Sequence, residues 1–377
     1  MYRNCKILYF DMQMPYLLSE ISKPVGGAAV EWLTWLNSFK EIGCEPALLT
    51  WKGAKNIITK SVDFDIIESF KLNKGIPKIK FIIYEFPLLF WAVKKYSPDY
   101  IVQECANRFS GILAIIAKLL RIPFIHRIAS DMDVDGRIKY NISKFYLMFY
   151  YLGVRLADHI SCQNKYQYEI LKKKYPKKSI SILYNPYKIK ETINSKSNGK
   201  YIAWIGNFRY EKNLLALASV AKKLPQFQFK IVGTKLVDSD EDTNKGLAEL
   251  KNLDNVEFLG HLNNNKIPGF LSNAYCLLNT SRLEGFTNTF LEAWAMGVPV
   301  ITTKNVNPDN LITDFNLGIV ADNYESLPEI IREFILSGRY EDYHEKCRNY
   351  IIKYHNPKYL AIQFLNDMKN STKTSFN

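Results

Sequence analysis

Short apolar runs alternate with helical stretches along nearly the whole chain, and the alternation breaks once and then restarts. A short apolar strand followed by a helix, repeated many times, buries both elements best as a parallel sheet covered by helices on its two faces. The first half has strand candidates at residues 6–10, 47–51, 100–103, 123–128 and 159–162. Between the first two, Gly26 and Gly27 precede residues 28–39, whose apolar positions recur at helical spacing. Residues 79–93 are apolar enough for either strand or helix, and periodicity does not decide between them.

The break lies at residues 188–200, a Lys, Ser and Asn-rich segment without periodicity, which reads as a linker. After it come strands at 201–205, 228–232, 256–259, 275–278 and 300–303, with a helix at 214–224. The chain therefore reads as α/β, with two similar units: a domain at 1–190, a second at 191–355, and a terminal helix at 356–377 that packs back on the first. A length of 377 residues fits two domains.

Composition excludes several classes. With 47% hydrophobic and 23% charged residues the chain is globular, and no low-complexity tract suggests disorder. Six scattered cysteines form no C-x-x-C pair, so neither a zinc site nor a disulfide framework is implied and a reduced cytosolic setting is the simpler expectation. No apolar run approaches the ~18 residues of a spanning helix, and the N-terminus reads as a strand rather than a signal peptide. Charge is lopsided: up to Ser195 there are 29 Lys and Arg against 17 Asp and Glu, so nearly all of the +13 lies there. An anionic partner is one reading and a solvated face the other.

Residues 281–300, SRLEGFTNTFLEAWAMGVPV, hold the densest signal. Thr289 and Glu292 have capping-box spacing, Gly297 stands where a helix would close, and Pro299 follows. A loop carrying Glu284 and Gly285 thus feeds a helix whose first amides, near residues 287–290, favour a phosphate. A second anion feature is GNFRYEKN, residues 206–213, between a strand and its following helix. Arg209 and Lys212 oppose the helix dipole there unless an anion joins them. Glu284 and Glu292 read poorly as a hydrolase pair: eight helical residues span ~12 Å, more than the ~5–9.5 Å such pairs need.

These residues resemble a known family. Glu284-Gly285-Phe286 with Glu292, followed by Ala293 and GVPV at 297–300, is similar to the donor motif of family 4 retaining glycosyltransferases of GT-B fold. The likeness extends to Gly26-Gly27, Asn185 and the 206–213 loop. It implies two Rossmann-like domains facing each other across a cleft, a UDP- or GDP-linked sugar held by the second and a glycan or lipid-linked acceptor by the first. It implies Glu284 on sugar hydroxyls, Glu292 on the ribose, Arg209 and Lys212 on the diphosphate, amides of Phe286, Thr287, Asn288 and Thr289 completing the cradle, and Gly27 close to the phosphates. Many members place the arginine directly after the glycine, where this chain has Asn207.

His126 falls where related enzymes carry a histidine near the reacting sugar, though a lone histidine ending an apolar strand is also ordinary core. Asp131 and Asn185 are acceptor-side candidates. Residues 131–138 imitate an EF-hand start, but position 12 is Ile142, so calcium is not expected. D-x-D in the same run is the metal motif of the other large glycosyltransferase fold. No metal or cofactor is expected beyond the nucleotide sugar.

The aromatic stretch 140–156 is either core or a lipid-facing surface beside the basic runs 172–174 and 177–178. The expected protein is a cytoplasmic glycosyltransferase, peripheral at the inner membrane face, serving cell-surface polysaccharide synthesis. The alternatives are a GT-B-fold UDP-sugar 2-epimerase, which needs no acceptor, and a basic nucleic-acid-binding protein. The cations are not interleaved with any recognisable RNA or DNA module, so nucleic acid is not expected as a partner.

Overall fold

The computed structural model describes residues 4–21, 25–76, 80–140, 142–189, 199–235 and 240–374. Most of the expected linker, residues 190–198, lies outside them. Two compact units result: Met1–Pro186 together with Asn356–Asn377, and Tyr187–His355.

The first unit is built on seven strands: β1 (Lys6–Phe10), β2 (Glu45–Thr50), β3 (Asp65–Glu68), β4 (Tyr100–Glu104), β5 (Phe124–Arg127), β6 (His159–Cys162) and β7 (Ser179–Ile182). They run in the order β3-β2-β1-β4-β5-β6-β7, and every pair is parallel. Side chains alternate faces with period two. Leu8 and Phe10 of β1 enter one apolar cluster with Ile112 and Leu113, while Ile7 and Tyr9 enter another with Trp32 and Trp35. Burial on both faces is why the central strands read as continuous apolar runs. Edge strands β3 and β7 are only partly buried, so their sequences DIIE and SISI gave no such signal.

The second unit has six strands: β8 (Tyr201–Ile205), β9 (Phe229–Val232), β10 (Val256–Gly260), β11 (Ala274–Leu278), β12 (Val300–Thr303) and β13 (Gly318–Ala321). Their order is β10-β9-β8-β11-β12-β13, again all parallel. In each sheet the order reverses once, between β1 and β4 or between β8 and β11. Such switch points open a crevice at the carboxyl ends of the strands, where α/β sheets bind ligands.

Residues 81–93 prove helical: a π-helical turn, Phe81–Glu85, runs into the helix Phe86–Tyr96. The terminal helix Pro357–Thr374 belongs to the first unit. Its Phe364 ring lies 5.4 Å from Trp35 and 5.5 Å from Phe39, and Leu360, Leu365 and Met368 join the same cluster.

A charged network lies inside the first unit. Arg127, fully buried at the end of β5, donates to Glu31 Oε1 at 2.9 Å, to Ser161 Oγ at 2.9 Å, to the Leu183 carbonyl at 3.0 Å and to Asn185 Oδ1 at 2.7 Å. Glu104, at the end of β4, accepts from Trp32 Nε1 and from Gln163 Nε2. Glu31 pairs with the guanidinium, and the Glu104 carboxyl lies near both without an ion pair of its own. Burial, and then Glu31, push the Glu104 carboxyl well above the usual range, which favours its protonated form. Glu104→Gln should therefore shift urea-unfolding stability by less than about 1 kcal/mol. Arg127→Met leaves Glu31 uncompensated and should cost about 3–5 kcal/mol; equal effects of the two substitutions would contradict this division of charge.

Candidate functional site

In the second unit the loops leaving β8 and β11, on either side of the switch point, meet. Lys212 Nζ donates to Glu284 Oε1, forming an ion pair whose side chains are 10% and 13% exposed. Ser281 Oγ donates to the same oxygen at 2.7 Å. Glu284 Oε2 has no partner among the described residues, so it is the oxygen this loop can offer to a hydroxyl.

The two loops are fastened to each other below the pair. Trp204 Nε1 donates to Thr280 Oγ1 at 3.1 Å, and that hydroxyl donates to the Lys212 carbonyl at 3.0 Å. Arg282 then clamps the 210–212 turn: its amide donates to the Glu211 carbonyl at 2.7 Å and its guanidinium to the Tyr210 carbonyl at 2.5 Å. That guanidinium also covers the Tyr210 ring at 4.1 Å and pairs with Asp242 at 2.7 Å. The floor is glycine by necessity. Gly233, at φ 150°, would place a Cβ 1.9 Å from the Gly206 carbonyl oxygen.

The focal helix is Asn288–Ala295, with Thr287 as N-cap. It begins earlier than the expected capping box, so Phe290 holds the third helical position and Glu292 the fifth. The box cannot close, and no side chain caps the helix; Thr287 Oγ1 instead meets Thr289 Oγ1 at 2.9 Å. Gly297 ends the helix as expected, at φ 73°, with its amide on the Trp294 carbonyl at 2.9 Å. Freed from capping, Glu292 sits partly buried near Tyr187, and burial raises its carboxyl to about 7. Phe286 is buried against His355, ring centroids 5.6 Å apart.

Other expected site residues have partners of their own. Arg209 is half exposed, and its Nε lies 3.6 Å from Glu211 instead. Gly26 and Gly27 lie in the first unit and open the helix Gly27–Glu41, the Gly26 amide donating to Gln13 Oε1 at 2.8 Å. Asn185 is committed to Arg127. Asp131 Oδ1 accepts from Asn164 and Gln167, both at 2.9 Å.

The His126 ring is wholly buried against Phe124 and Tyr150, and among the described residues neither nitrogen has a partner. Burial depresses its pKa to about 3, so the imidazole is neutral at pH 7. Within the Asp131–Asp135 run, Asp133 accepts from the amides of Ala129 and Ser130, and Asp135 pairs with Arg137. Ser281 and Arg282 were missed by sequence reasoning; the only available signal was a polar pair just ahead of Glu284.

Residues 187–354, essentially the whole second unit, match the family Glycosyl transferases group 1. An uncharacterized glycosyltransferase of Methanocaldococcus jannaschii is 25% identical over 326 residues, covering 85% of this chain and 88% of that protein. Among solved structures, sucrose-phosphate synthase from Thermosynechococcus elongatus superposes with a TM-score of 0.77 at 16% identity, over 98% of this chain and 100% of that one. HepE of Anabaena, solved in complex with UDP-glucose, gives 0.74 at 15% identity, over 97% and 99%. The fold is GT-B, the second unit carries the match to the group 1 glycosyltransferases, and the chain is a glycosyltransferase.

Glu292 makes stability depend on pH. In the folded state it keeps its proton to about pH 7, whereas in the unfolded chain it ionises near ~4.3. Between those values the unfolded state has lost the proton and the folded state has not, so this residue's contribution falls as pH rises. Glu292→Gln cannot ionise and should gain Tm relative to the wild type as pH is raised from about 5 to about 8. Parallel Tm–pH curves would contradict the raised carboxyl.

Proposed function

We propose that the protein is a family 4 transferase that moves a sugar, with retention of configuration and without a metal, from a nucleoside diphosphate to a glycan or lipid-linked acceptor. The acceptor lies on the first unit, at the cytosolic face of a membrane, and the product enters cell-surface polysaccharide. The observation that carries this reading is the Lys212–Glu284 pair at the β8/β11 switch point, beside a helix start with no side-chain cap.

The chemistry follows from those groups. Lys212 and the first amides of Asn288–Ala295 neutralise charge growing on the departing diphosphate, the part that fixed dipoles and cations play in group transfer. Ser281 and Lys212 both hold Oε1 of Glu284, which turns Oε2 toward the sugar hydroxyls. Glu292, ionised above about pH 7, accepts from the ribose. Arg209, half exposed beside Glu211, swings to the diphosphate only once donor arrives. The complex of HepE with UDP-glucose supports a UDP-linked donor.

Steady-state turnover of the donor, followed as acceptor-dependent nucleoside diphosphate release, tests the assignment. Lys212→Gln and Glu284→Gln should each lower kcat/KM by about 10²–10³, the usual cost of one such group, and Arg209→Gln by less. His126→Phe, in the core, should leave kcat/KM within about threefold. Undiminished turnover in both Lys212→Gln and Glu284→Gln would overturn the site, and release of an epimerised nucleotide sugar without acceptor would replace the transferase reading.

A further inference from the structure

Several of the exposed large apolar side chains of the first unit lie on two neighbouring helical segments. The turn Phe81–Glu85 and the helix Phe86–Tyr96 expose Ile82, Ile83 and Trp91 by 56%, 55% and 63%, and the helix Lys144–Leu156 exposes Met148 by 56%. The segments touch: the Phe81 ring lies 4.9 Å from Phe145 and 5.6 Å from Phe149. Large side chains exposed together in this way mark a binding surface more often than chance exposure does.

Loose packing does not account for the exposure. The opposite face of Lys144–Leu156 is locked to the helix Arg108–Leu120 backbone to backbone, since a Cβ on Gly153 would come 2.5 Å from the Ser110 carbonyl carbon and one on Gly111 2.5 Å from the Phe149 oxygen. With that side closed, Met148 and its neighbours have only the outward side.

Charge selects the partner. Between residues 69 and 98 the only acid is Glu85, against Lys71, Lys74, Lys80, Lys94 and Lys95 among the described residues; residues 140–156 hold no acid at all. Glu85 is buried, pairs with Arg108 at 2.8 Å and lies 3.9 Å from Lys80, so it offsets one of these two cations and leaves the pair with a net positive charge, while Lys71, Lys74, Lys94 and Lys95 have no other acid on their own segment to offset them. Lys94 lies over the Trp91 ring at 5.2 Å, and a cavity of about 350 Å³ opens between Lys80, Phe81, Arg108, Phe145 and Tyr146. Arg108 opens the helix after β4, so this cavity stands at the carboxyl edge of the sheet. Cations ringing exposed Ile and Trp side chains match the boundary of an anionic bilayer, where the rings and aliphatic groups enter the acyl margin and ammonium groups meet phosphates. The other basic run lacks this form: Lys178 donates to the Arg155 and Ala157 carbonyls, and Lys174 covers Tyr151.

We propose that this surface docks the protein on an anionic lipid membrane, with Ile82, Ile83, Trp91 and Met148 in the interface and a lipid phosphate in the Lys80–Arg108 cavity. The proposal rests on the transferase reading only for its purpose, delivery of a lipid-linked acceptor; vesicle binding is measured without donor or acceptor, so the two fail separately.

Flotation of the full chain with vesicles of phosphatidylcholine alone, or mixed with phosphatidylglycerol, is the test. The wild type should float with the mixed vesicles and weakly or not at all with phosphatidylcholine. Ile83→Ser/Trp91→Ser, on the surface, should keep the wild-type melting curve and lower the vesicle-bound fraction about tenfold. Lys94→Glu/Lys95→Glu should do the same, most clearly at low salt, while Lys172→Gln/Lys173→Gln on Lys165–Lys174 should bind as the wild type does. Wild-type protein left in the soluble fraction, equal flotation with both vesicle types, or undiminished binding by both surface variants would overturn the proposal. So would a wild-type dimer in size-exclusion chromatography that Ile83→Ser/Trp91→Ser makes monomeric, since that would assign the surface to a second copy of the chain.

Discussion

A lysine and a glutamate 72 residues apart in sequence share one nearly dry ion pair at the point where the second sheet reverses its strand order. Bringing two charges out of water is costly unless each is held well, and much of the local structure provides that hold. Ser281 adds a hydrogen bond to the carboxylate, Thr280 carries the lysine backbone, and Arg282 ties the 210–212 turn down. Gly206 leaves the lysine stem room that a Cβ would fill, and Gly233 lets the chain pass against the Gly206 carbonyl. The pair is therefore a rigid point beside an uncapped helix start.

Much of this was legible in the sequence because the physics is local. Buried parallel strands must be apolar throughout, so β1, β4, β5, β8 and β11 stood out, and glycine with proline after residue 296 marked the helix end. What failed was also physical. Edge strands β3, β7 and β13 bury one side poorly, and the periodicity that finds central strands does not see them. The start of the focal helix was misplaced because Thr287, Asn288 and Thr289 are all acceptable near a helix start; tertiary packing, which the sequence does not display, chose Thr287. The burial of His126 between Phe124 and Tyr150, which keeps its ring neutral, is likewise a tertiary fact that its position after an apolar strand does not display.

The first unit uses charge differently. Its Arg127–Glu31–Glu104 network is buried at the carboxyl ends of β4 and β5 and ties those strand ends to the helix carrying Glu31. Its surplus cations lie outside, around exposed aliphatic and aromatic side chains. Sequence composition located that surplus but could not divide it between Lys178, committed to backbone carbonyls, and the lysines flanking Trp91.

The central claim is that the Lys212–Glu284 pair is the core of a nucleoside diphosphate site, and a thermal-shift panel of UDP, GDP, ADP and CDP addresses it most directly. At 100 times its Kd a ligand adds about 2.7 kcal/mol of stability. The account predicts that UDP or GDP raises the Tm of the wild type and that the shift largely disappears in Lys212→Gln. A panel with no shift, or a shift retained in full by Lys212→Gln, would contradict it.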